Sequence, residues 1–155
     1  MDYLLNDTWI LWYHSFKNSS WEKDSYVKCG QINSIQILWE YINNIHDLKK
    51  GMFFLMRKKI FPKWEEPENI NGGAWTLSIS SKDAKKNWIE LMLSLVGETL
   101  TDDMDQIHGI SITPKRKYVI IKIWNKNSNK QNLLFNNSKI NWKSKQYRKH
   151  LKRNI

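Results

Sequence analysis

Cysteine is almost absent from this chain of 155 residues, where Cys29 stands alone. A single thiol cannot close an intrachain disulfide, so a reducing compartment is expected. The four histidines (His14, His46, His108 and His150) are scattered and show no metal-ligand spacing with Cys29. No metal and no cofactor are therefore expected. No apolar run approaches the ~20 residues of a membrane span. Met1-Asp2-Tyr3 lacks the basic-then-apolar opening of a signal peptide. These absences exclude a membrane role and predict a soluble, cytoplasmic protein. Acidic side chains are also scarce, with 15 Asp and Glu against 25 Lys and Arg, for a net charge of +10. That imbalance points to an anionic partner such as nucleic acid. An AT-rich genome, coding for Asn, Lys and Ile, would explain the total but not where the basic residues cluster.

Tryptophan, by contrast, is abundant: nine in one domain-sized chain is far above ordinary usage. Most are expected in the core, because large aromatics dominate core burial; the rest would form a ligand platform. No internal repeat is visible. Thr8 to Phe16, Met52 to Arg57, Trp75 to Ile79, Ile107 to Thr113 and Tyr118 to Trp124 read as strands. The last two flank a turn at Pro114-Lys115-Arg116-Lys117. A helix is predicted from an N-cap at Ser34 to about Asn44, and a second from Ser80 or Ser81 to near Gly97. Asn125 to Ser138 is a loop, and Lys139 to Lys145 is predicted as the last strand. The pattern indicates an α+β fold in one domain, 1–155, with helices on one face of an antiparallel sheet. Residues 1–5 are expected as an N-terminal arm and 146–155 as a basic tail, with Arg148, Lys149, Lys152 and Arg153 near an anionic ligand.

Two local patterns carry chemistry. In Pro62-Lys63-Trp64-Glu65-Glu66 an indole is followed directly by a carboxylate. The indole face attracts a flat cation, and the carboxylate selects paired N–H donors. An N7-methylated guanine presents both. In the second helix, Trp88, Leu91, Met92 and Leu95 make one apolar stripe, with Ile89, Leu93 and Val96 beside it. The combined arc is roughly 200°, about twice that of an ordinary surface helix. The second stripe either packs on the first helix or docks an amphipathic helix from a partner.

These residues resemble those of the eukaryotic translation initiation factor 4E family. The likeness runs from about Leu5 to Trp124. It is carried by Trp9-Ile10-Leu11-Trp12, Trp21, Leu38-Trp39, Ile60 to Glu66, Gly72-Gly73-Ala74-Trp75, Trp88-Ile89-Glu90-Leu91 through Val96-Gly97-Glu98, and Gly109 followed by Trp124. The resemblance implies a curved antiparallel sheet with two or three helices on its convex face and the ligand in the concave face. It implies a binding protein without enzymatic activity, whose partners are capped messenger RNA and the helix of a factor 4G-like scaffold or repressor binding protein, and a monomer. Trp21 and Trp64 would sandwich the methylated base, Glu65 would take its N1 and N2 protons, the Trp64 backbone N–H would reach O6, and Trp124 would touch the methyl group. Lys115, Arg116 and Lys117 would meet the triphosphate. Ile120 replaces a family lysine, and Lys122, two residues before Trp124, would substitute for it. Ala74 stands where many members are basic. Ile35, Trp39, Ile89, Glu90 and Leu93 would bind the partner helix. The family's regulatory serine near the C-terminus has no counterpart after Ser144. The short C-terminal region and the composition suggest a divergent source, such as a large DNA virus (placing it in the host cytoplasm) or a parasite.

Three other functions compete. A cap-binding repressor would hold the cap without recruiting the scaffold. A nonspecific single-strand binder would use aromatics and charge alone. An enzyme could place Mg²⁺ on Asp102, Asp103 and Asp105, although that spacing matches no recognised pattern.

Overall fold

A computed structural model describes residues 3–45 and 47–151. Seven strands form one antiparallel sheet: β1 (Leu4–Ser15), β2 (Val27–Ser34), β3 (Gly51–Arg57), β4 (Gly73–Ser80), β5 (Ile107–Pro114), β6 (Tyr118–Asn125) and β7 (Gln146–Lys149). Their order across the sheet is β2-β1-β3-β5-β6-β4-β7. Two α-helices, α1 (Ile35–Asn43) and α2 (Ala84–Val96), and four short 3₁₀ segments complete the regular structure among the described residues. The sheet is open and curved.

Alternation along the strands divides the apolar residues between two layers. On β3, Phe53 and Leu55 enter the main core, which includes α2, whereas Phe54 and Met56 enter a smaller cluster with Ile60, Ala74 and Trp124. Trp9, Trp75 and Trp88 are fully buried in the main core. Each such ring removes 150–250 Å² from water, a gross transfer gain of about 4–6 kcal/mol. Trp124 is buried in the smaller layer, Trp12 and Trp142 are partly buried, and Trp21, Trp39 and Trp64 remain exposed.

α1 starts where expected, because the Ser34 Oγ accepts from the Ile37 N–H at 3.2 Å. On α2, Trp88, Leu91, Met92, Leu95 and Val96 are buried, whereas Ile89 and Leu93 are only partly covered. One flank of α2 is covered by the segment after β6. There the Asn137 Nδ2 donates to the Ser94 Oγ at 2.8 Å, and Phe135, Ile140 and Trp142 join the core cluster.

The structure departs from the predicted elements at both ends of the chain and at one edge of the sheet. β2 was not anticipated: its sequence is mostly polar, and only Ile32 and Ser34 are buried. Lys139–Lys145 is not a strand. Asn137 and Asn141 accept from the backbone N–H groups of Lys139 and Lys143, holding that stretch in turns around a short 3₁₀ segment at Trp142–Ser144. The last strand lies just beyond, and pairs with β4 through Gly73↔Lys149, Ala74↔Arg148, Trp75↔Tyr147 and Thr76↔Gln146. Part of the expected basic tail is thus β7, while Lys152 and Arg153 lie outside the described residues. The expected N-terminal arm is likewise strand from Leu4 onward; Met1 and Asp2 lie outside the described residues. Gly72 and Gly73 permit close packing, since a Cβ on Gly72 would collide with the Asn125 carbonyl and one on Gly73 with the Arg148 carbonyl.

Among the described residues no helix is long and apolar enough to cross a membrane.

Candidate functional site

The smaller apolar layer forms the floor of an open cavity of about 470 Å³ on the concave face. It brings together Trp21, Trp64, Glu65, Lys122 and Trp124, which lie far apart in the chain. Tyr26, Phe54 and His150 also line it. Trp21 and Trp64 are 49% and 43% exposed, which is unusual for the largest apolar side chains in a protein with a well-formed core.

Trp64 and Glu65 sit in the loop after β3, and that loop is pinned from behind. Asn69 is fully buried; its Nδ2 donates to the carbonyls of Phe61 and Lys63, both at 2.8 Å. Its Oδ1 therefore accepts from the His108 Nδ1–H on β5, at 2.8 Å. Burial, followed by the nearby cations Lys126 and Arg57 and by the His150 ring, pushes the His108 imidazole down to about 4, so it is neutral at physiological pH. Within the loop, Lys63 and Glu66 donate backbone bonds, but among the described residues neither the Trp64 nor the Glu65 N–H does. Among the described residues the Glu65 carboxylate has one cation within 4 Å, Lys63 at 3.8 Å, and no hydrogen bond. It also lies near Tyr26, whose hydroxyl is pushed up to about 12 by burial and then by the Glu65 charge. Acceptor oxygens and backbone donors are thus left uncommitted at the cavity mouth.

Trp21 is held by a residue that sequence reasoning did not single out for this site. The buried His14 ring stacks on its indole with centroids 3.9 Å apart and planes 4° from parallel. The His14 Nε2 lies 2.7 Å from the Ser20 carbonyl and 3.2 Å from the Ser25 Oγ, so it carries the proton. His14 thereby ties β1 to both sides of Trp21 while covering one indole face. The loops carrying Trp21 and Trp64 are joined by Lys23–Glu66 at 2.7 Å. Trp124 is fixed by its Nε1–H, which donates to the Ser111 Oγ at 3.0 Å, and by an edge contact with Phe54.

A second cavity of about 590 Å³ shares Trp64, Lys122 and His150 with the first. Its floor is built from small side chains on β4, Ala74, Thr76 and Ser78. These stand opposite Trp124, Lys122 and Ile120 on β6, and Ala74 also stands opposite Arg148 on β7. Lys122 is held below the usual lysine range by burial, then by Arg148 and Lys115. Among the described residues none of these three cations has a carboxylate within 4 Å. Lys122 and Arg148, lining one cavity without a counter-charge, form a ready anion site, and Lys115 acts on it from the turn.

The turn residues do not all reach this place. Tyr118 and Trp124 are six residues apart on β6, so the turn lies about 20 Å from the Trp124 end of the concave cavity along the strand. Lys115 influences Lys122, but Lys115 and Arg116 line a separate cavity. Lys117 is exposed, and its carbonyl accepts from the Ser81 N–H at 3.1 Å. Lys115, Arg116 and Lys117 were expected at the triphosphate; none of the three lines the concave cavity or the one beside it. Asp102, Asp103 and Asp105 form no metal-holding group; among the described residues there is none.

On the convex side, Ile35, Ile37 and Trp39 of α1 are exposed, flanked by Tyr3 and Leu4. The N-terminal segment is fastened there by the Ile35 N–H, which donates to the Tyr3 carbonyl at 2.9 Å. Ile89 and Leu93 of α2 are half-buried. The Glu90 carboxylate already accepts from Asn137 at 3.3 Å and Lys139 at 3.4 Å.

Residues 4–154 match the family model described as eukaryotic initiation factor 4E. Similar curated proteins include eukaryotic translation initiation factor 4E of Saccharomyces cerevisiae, 30% identical over 84% of this chain and 65% of the yeast protein. Eukaryotic translation initiation factor 4E1 of Drosophila melanogaster is 34% identical over 82% of this chain and 51% of its own length. The chain thus spans between half and two thirds of these relatives. Among solved structures, Ascaris suum eIF4E-3 with m7G cap superposes with a TM-score of 0.76 at 23% identity, covering 84% of this chain and 77% of that one. A schistosome eIF4E complexed with m7GpppA and 4E-BP does so with a TM-score of 0.76 at 23% identity, covering 84% and 75%. At that identity the superpositions establish the fold. Fold, family model and aligned sequences agree, and the chain belongs to the eukaryotic initiation factor 4E family.

Proposed function

We propose that this chain binds the 7-methylguanosine cap of messenger RNA in its concave cavity and, as a translation initiation factor, engages a scaffold or binding-protein helix on its convex face. The carrying observation is the convergence on one cavity of two exposed indoles, an uncommitted carboxylate and free backbone amides. The methylated base lies between Trp21 and Trp64, where its positive charge is drawn to the ring faces. Glu65 accepts from N1 and N2, which excludes adenine because the carboxylate would then lose its paired donors. The Trp64 N–H meets O6, and Trp124 contacts the methyl group. Lys122, Lys115 and Arg148 hold the triphosphate; lysine does so as a point charge and Arg148 as a fork. The small floor at Ala74, Thr76 and Ser78 leaves the phosphates room. This is recognition rather than catalysis, and it acts in the cytoplasm.

On the convex face, Ile35, Trp39, Ile89 and Leu93 give an amphipathic helix its apolar seat. Glu90 takes a partner's donor by exchanging Lys139, an exposed ion pair worth little on its own. The relatives crystallised with m7G cap and with 4E-BP support both halves of this reading.

Fluorescence titration with methylated and unmethylated guanosine triphosphate tests it. The methylated nucleotide should quench tryptophan emission and bind at least about fivefold tighter, the effect of roughly 1 kcal/mol of cation–π attraction. Equal affinities would overturn the base-recognition scheme, and equal binding of capped and uncapped RNA would favour a nonspecific single-strand binder.

A further inference from the structure

The cavity that takes Arg116 away from the base pocket has its own chemistry. Its volume is about 570 Å³, and it is walled by the segment before β3, the start of α2 and the β5–β6 turn. Lys49, Lys85, Lys115 and Arg116 converge on it from these three elements around a floor that includes Leu48 and Val119. All four cations are exposed, and Leu48 and Val119 are buried. Among the described residues none of the four has a carboxylate within 4 Å; Asp47 is the only acidic residue in the lining. Cations around an apolar floor fit a chain whose backbone is anionic and whose bases are flat and apolar-faced.

Position gives this cavity a specific occupant. Trp124, Lys122, Ile120 and Tyr118 alternate along the concave side of β6 and lead to the turn, whereas Val119 faces the α2 side, so the cleft opens on the other side of the sheet at the end of that row. Lys115 stands where the path crosses: it lines this cavity and its charge is felt by Lys122. We infer that the cleft formed by Lys49, Lys85 and Arg116 binds the single-stranded RNA that follows the cap, so that the protein holds capped RNA more tightly than the isolated cap nucleotide. The inference rests on the proposed cap site, and the experiment separates the two.

The double variant Lys49→Ala with Lys85→Ala alters two exposed side chains outside the base pocket. Its affinity for methylated guanosine triphosphate, for a short capped oligonucleotide and for the same oligonucleotide uncapped should be compared with the original protein across a salt series. The variant should bind the nucleotide unchanged and the capped oligonucleotide at least about tenfold more weakly. The slope of log affinity against log salt should fall by about 1.4, two phosphate contacts at ~0.7 each. Unchanged affinity and slope for the capped oligonucleotide would overturn the inference. So would loss of binding to polyglutamate with RNA binding intact, which would mark an acidic protein segment as the occupant. If neither protein bound the nucleotide but the variant still lost affinity for uncapped RNA, the cap site would fall and the cleft would stand.

Discussion

Trp21 and Trp64 on the concave face and Trp39 on the convex face are exposed to similar degrees, at 49%, 43% and 48%. Their surroundings differ. The concave pair shares its cavity with Glu65 and Lys122, and Trp21 is backed on one face by the stacked His14 ring. Trp39 shares its helix with exposed Ile35 and Ile37 and lies on the side where Tyr3 and Leu4 are also uncovered. An indole backed on one face and flanked by uncommitted polar groups suits a flat, charged, hydrogen-bonding ligand. An indole among aliphatic side chains suits the apolar stripe of a helix. Exposure marks both as candidate sites, and the neighbours say which kind of partner each one suits.

The comparison breaks if the two faces are not independent. The largest effect is expected from Trp64→Ala, which should weaken cap-analogue binding by up to about 3 kcal/mol in a fluorescence titration while leaving helix-peptide binding intact. Trp39→Ala should do the reverse, costing about 2 kcal/mol in calorimetric titration with a scaffold-type helix and leaving the cap analogue unaffected. A loss of both activities in either variant would erase the distinction. Glu65→Ala sharpens the concave side: about 1–2 kcal/mol should be lost for methylated guanosine triphosphate through missing charge-assisted bonds, and unchanged affinity would remove the carboxylate from the scheme. His14→Ala should cost about 1 kcal/mol of cap affinity, with His14→Phe recovering most of it by restoring the ring contact. Faster amide exchange confined to the loop around Trp21 would mark His14 as a positioning residue; equal losses on both faces would mark it as merely structural.

Much of this arrangement was legible in the chain. The strands with apolar, aromatic-rich runs and the capped helix at Ser34 could be placed from pattern alone, and the Trp64-Glu65 pair pointed to a loop that does line the concave cavity. β2 was not legible because an edge strand needs few buried residues and therefore shows little alternation. β7 was displaced in expectation because Trp142 and Ile140 look like strand residues; they are instead anchored in the core through turns made by asparagine side chains. His150 gave no signal: its place in the pocket depends on the pairing of β7 with β4, a long-range contact without a local signature. The separate places of Lys115, Arg116 and Lys117 were not legible for a related reason. Neighbours in a tight turn diverge in space, and sequence adjacency does not say which of them faces the ligand.

The base pocket draws on side chains from Trp21 to His150. During synthesis, the sheet can begin to assemble as β1, β2 and β3 leave the ribosome, but the binding surface stays open on one side until β7 has emerged. A growing chain therefore gains the last wall of this cavity, His150, only after Trp21, Trp64, Glu65 and Trp124 have been made.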